Sequence, residues 1–82
     1  MDENTNNYFR SKINLITQTD VLEFVRLAEE CQGKVYVENA GSELRISAKS
    51  ILGVKMASIE WSDLYAVYDD ELFTSKILRF II

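Results

Sequence analysis

The spacing of apolar residues along the chain predicts seven elements. From Lys12 the run Lys-Ile-Asn-Leu-Ile alternates, which sets Ile13 and Leu15 on one face of a first strand ending near Thr17. Asp20-Val-Leu-Glu23 has the spacing of a capping box, in which Asp20 accepts from the amide of Glu23 and Glu23 reaches back, so a helix is predicted to start there. Val21, Phe24, Val25, Ala28 and Cys31 recur at three- and four-residue steps as its buried stripe, with Phe24 central to the core. Gly33 is expected to supply the left-handed residue that ends the helix.

Val35-Tyr36-Val37 alternates again, Asn39-Ala40-Gly41-Ser42 carries turn residues, and Leu44-Arg45-Ile46 alternates back. This predicts a hairpin with Val35, Val37, Leu44 and Ile46 facing inward. Ala48-Lys49-Ser50-Ile51-Leu52-Gly53-Val54 reads as a helix of about two turns capped by Ser50 and weakened by Gly53. Trp61 is expected to anchor the loop before a fourth strand in which Leu64, Ala66 and Tyr68 share one face and Tyr65 and Val67 the other. Asp69-Asp70-Glu71 places acid at the start of a last helix, where it favours the dipole. Leu72, Phe73, Ile77, Phe80 and Ile81 make that helix amphipathic to the end of the chain. Residues 1–10 are expected to be a flexible N-terminal tail, and residues 11–82 one domain of order βαββαβα.

Composition narrows the chemistry. Apolar residues at 48% and charged residues at 27% are ordinary globular proportions, so the chain is expected to fold. At 82 residues it buries only about 60% of its unfolded surface, and its core is thin. The nine basic residues lie singly along a chain of net charge −4, which argues against a nucleic-acid partner. A single cysteine, with an acidic start that lacks a signal-peptide pattern, points to the cytoplasm, and the apolar runs are too short for a membrane span.

The sequence contains no histidine, which removes the commonest general base, the commonest metal ligand and any phosphohistidine. No enzyme activity, cofactor or metal is expected. Cys31 lies on the apolar stripe without a neighbouring base and reads as a structural thiol. Asp69, Asp70 and Glu71 are better explained as helix caps than as a cation site. Tyr36, Tyr65 and Val67 are expected on an uncovered sheet face, with the tyrosines forming a cross-strand pair rather than a base-stacking platform.

Two folds fit the element order: the ferredoxin-like βαββαβ sandwich and the HPr-like sandwich with an additional C-terminal helix. The segment Ala48-Lys49-Ser50-Ile51-Leu52-Gly53-Val54, lying after a hairpin and before the last strand, resembles the regulatory serine segment of HPr proteins of the bacterial sugar phosphotransferase system. That resemblance implies an α+β open-faced two-layer sandwich: a four-stranded antiparallel sheet of order 1-4-2-3, three helices on one face and the other face wet. It also implies a regulatory phosphoserine at Ser50, set by an HPr kinase/phosphorylase, and a partner-binding patch at Lys49, Ile51 and Leu52. The family's phosphate-carrying motif G-x-H-A-R-P is replaced here by Ile16-Thr17-Gln18-Thr19-Asp20, so the carrier role does not transfer. Thr17 near the missing position would form only a stable phosphoester.

Apart from the resemblance, a phosphate on Ser50 at a helix N-cap would meet free backbone amides and the positive end of the dipole. The expected function is therefore a non-catalytic regulatory or protein-interaction domain. The partners that the resemblance implies are phosphotransferase components or a carbon-control regulator. The alternative is a structural or oligomerisation module, HPr-like or ferredoxin-like, unrelated to sugar transport.

Overall fold

The computed structural model describes residues 8–82. Four strands, β1 (Phe9–Lys12), β2 (Val35–Asn39), β3 (Arg45–Ser47) and β4 (Leu64–Tyr68), form one sheet of order β1-β4-β2-β3 in which every pairing is antiparallel. Helices α1 (Gln18–Glu30), α2 (Ile51–Glu60) and α3 (Leu72–Lys76) pack with the inner side of the sheet into one apolar core. The α+β order and the 1-4-2-3 sheet expected from the sequence are observed.

The inner face follows the strand alternation. Val35 and Val37 from β2, and Leu64, Ala66 and Tyr68 from β4, are buried against Val21, Phe24, Val25 and Ala28 of α1. Phe24 sits at the centre, with edge-to-face contacts to Phe73 at 6.2 Å and Phe80 at 6.0 Å between ring centroids. The phenol of Tyr68, wholly buried, shares hydrogen bonds with Ser11 Oγ at 2.8 Å and Thr74 Oγ1 at 2.7 Å, joining β1, β4 and α3 at one polar point.

Several expectations are corrected. The first strand is β1 at Phe9–Lys12, upstream of the alternating run, so Phe9 and Arg10 of the expected tail are paired strand residues; residues 1–7 of that tail lie outside the described residues. Ile13 and Leu15 are buried as expected, but in the connection to α1, where Ile13 bridges Ile81 and the Asn14 amide donates to Phe80 O at 2.8 Å. Alternation reports the inward direction of an extended backbone, not which strand it pairs with.

The cap of α1 is Thr17, whose hydroxyl accepts from the Asp20 amide at 3.1 Å, while the Asp20 carboxylate accepts from the Thr17 amide at 3.1 Å and the Ile16 amide at 3.0 Å. Asp20 is thus the last residue of the capping box, at N3, and not its first. Gly33 does not end the helix, because Cys31 leaves it in an extended conformation and the only positive φ among the described residues is at Gly41. Gly33 is needed for proximity instead: a Cβ there would lie 2.1 Å from the Asp69 carboxylate, which accepts from the Lys34 amide at 2.9 Å.

Leu44 is exposed and precedes β3, its amide drawn into a turn by Ser42 Oγ at 3.0 Å. The last helix stops at Lys76, a 3-10 turn follows at Leu78–Phe80, and the Ile82 amide then donates to Lys12 O at 3.0 Å. Leu72 is exposed and the other expected apolar positions pack inward. Trp61 caps the C-terminal end of α2 and packs against the core, as expected.

The outer sheet face is less open than expected. Register aligns Arg10, Val67, Tyr36 and Ser47 in one row and Lys12, Tyr65, Glu38 and Arg45 in the next, so the tyrosines are diagonal neighbours and not a direct pair. The Arg10 guanidinium lies 4.0 Å over the Tyr65 ring, Arg45 lies 5.1 Å over Tyr36, and Tyr8 stacks on Tyr36. Glu38 accepts from both arginines, and Val67 beneath this cover is buried. Three of the basic residues that are scattered in sequence are gathered here, already held by Glu38 and, for Lys12, by Asp63 at 3.3 Å.

Candidate functional site

The segment that leads into α2 is fixed before the helix begins. The Ala48 side chain is buried, its amide donates to Val35 O at 2.9 Å, and the Lys49 amide donates to Ser47 Oγ at 3.2 Å. Ser50 then takes an extended conformation as N-cap, its Oγ accepting from the Gly53 amide at 3.3 Å while its carbonyl accepts from Val54. The hydroxyl is exposed beside the amides of the first turn, the geometry expected from the sequence.

Downstream, α2 runs ten residues, longer than the two turns expected. Gly53 costs it about 1 kcal/mol of propensity, but Val54 and Ala57 anchor it in the core, and tertiary packing outweighs propensity in short helices. The glycine is also required. A Cβ at position 53 would stand 2.6 Å from Ile46 Cγ2, so its absence lets α2 approach β3.

Of the residues expected to form a partner-binding patch, Ile51 and Leu52 are both exposed, at 38% and 76%. Lys49 is elsewhere. Its ammonium donates to Cys31 O at 2.9 Å, a cation on the carbonyl end of α1, and it borders a small groove with Gly33, Tyr36 and Ser47. In its place the structure supplies residues that the sequence reading did not single out: Met56 (54% exposed) and Ile59 (75%) continue from Leu52 at four- and three-residue steps, directly opposite Val54 and Ala57. Ile16 (77%), just before α1, lies across a shallow groove of about 200 Å³ from Ile59, with Leu15, Val21 and Lys55 also lining it. The signal for Met56 and Ile59 was present as an apolar period running past Val54.

The start of α1, where the resembled family keeps its phospho-accepting histidine, is occupied by the cap itself. The Thr17 hydroxyl is spent on the Asp20 amide. Hydrogen bonds from the Thr17 backbone, foremost, and from the Ile16 backbone, together with the nearby Arg79 guanidinium, hold the Asp20 carboxyl below its ordinary pKa against the opposing effect of desolvation.

Cys31 is half-buried at the end of α1, with Sγ 4.0 Å from Asp70 Oδ2. The acidic run does not cap α3 as expected: its N-cap, Glu71, makes no side-chain cap hydrogen bond, Asp70 one residue earlier accepts from the Leu72 amide at 3.0 Å, and Asp69 accepts from the Lys34 amide just before β2. Among the described residues, no three His, Cys, Asp or Glu side chains converge to hold a metal, and no helix is long and apolar enough to cross a membrane. No protein-family model matches the chain, and neither does any curated protein or solved structure.

Proposed function

We propose that the chain is a cytoplasmic, non-carrier HPr-like domain that works by being docked and modified, with the outer side of α2 as the docking surface and Ser50 at its head as the regulatory phosphorylation site. The observation that carries this reading is the exposed series Leu52, Met56 and Ile59 immediately after an exposed N-cap serine. Exposed apolar residues in a contiguous patch mark interaction surfaces. A phosphate of about −1.5 to −2 charge on Ser50 would meet amide donors at the helix start without disturbing the core, and would change the charge at the edge of that patch. The partners in this reading are proteins: an HPr kinase/phosphorylase that modifies Ser50, and phosphotransferase components or a carbon-control regulator that dock. The reading assigns no reaction, cofactor or metal to the chain itself.

Affinity capture from bacterial cytosol tests it. Wild-type protein is expected to recover a phosphotransferase component or a carbon-control regulator, and Leu52→Asp is expected to lose it while keeping the same unfolding temperature. Recovery of neither, or recovery indifferent to the substitution, counts against the reading.

A further inference from the structure

We draw no further inference here: the strongest candidate, the exposed apolar side of α2 formed by Leu52, Met56 and Ile59 with Ile16 across the groove, belongs to the site already described, and nothing in the structure shows what covers it.

Discussion

Ile46 and Gly53 are matched: the Cγ2 methyl of Ile46 occupies the space where a Cβ on Gly53 would stand, 2.6 Å away. Helix propensity alone says that Gly53→Ala should stabilise α2 by about 1 kcal/mol. The methyl of a β-branched residue in a strand cannot swing aside, so the substitution is expected to destabilise the domain instead. Chemical denaturation of Gly53→Ala in wild-type and Ile46→Ala backgrounds checks this. The penalty should shrink when Ile46 is truncated, and equal effects in both backgrounds would mean that the two residues do not meet.

Phe24 is wholly buried between Phe73 and Phe80. Phe24→Ala is expected to cost about 3–5 kcal/mol, a large share of the stability of a domain this small, and to leave the protein largely unfolded at ambient temperature. A denaturant curve showing a loss below about 1 kcal/mol would contradict the described core.

At the start of α1, Thr17→Ala is expected to cost about 1 kcal/mol through loss of the cap. The lowered pKa of Asp20 fixes a pH dependence. Its contribution to stability is fully present above the ordinary carboxylate pKa and is lost as pH falls through the lowered folded-state value. Asp20→Asn should therefore flatten the acid limb of a plot of unfolding midpoint against pH. An unchanged acid limb would remove Asp20 from the cap.

How far these positions were legible from the sequence depends on what set them. The stripe of α1 and the alternation of β2 and β4 were, because burial on one face imposes a period. The capping residue was missed by one turn, since Asp20-Val-Leu-Glu23 and Thr17-Gln-Thr-Asp20 both have the spacing and only the backbone shows which amide is free. β1 was missed because Phe9, Arg10 and Lys12 of this strand are exposed, and ladder pairing leaves no apolar period of its own. For the candidate site, the N-cap position of Ser50 was legible from its place before an apolar run. Sequence adjacency did not reveal that the long Lys49 side chain reaches back to Cys31, and Met56 and Ile59 were passed over because Gly53 suggested an early end to the helix.

The absence of an imidazole makes a chemical prediction. Supplied with enzyme I and phosphoenolpyruvate, the protein should acquire no acid-labile phosphate, because Thr17 and Asp20 are bound to each other and no histidine is present. Acid-labile label recovered on this chain would contradict the non-carrier reading.

The central claim is that Ser50 is a switch at the edge of a docking surface, and direct labelling tests it. The protein is incubated with an HPr kinase and ATP, the phosphosite is mapped by mass spectrometry, and Ser50→Ala and Ser50→Asp are compared with wild type for thermal midpoint and partner capture. The account predicts phosphate on Ser50 alone, a midpoint unchanged or slightly raised on phosphorylation, and partner capture that differs between the two variants. Label on another residue, no label, or capture indifferent to both substitutions would leave Ser50 as an N-cap worth about 1 kcal/mol and nothing more.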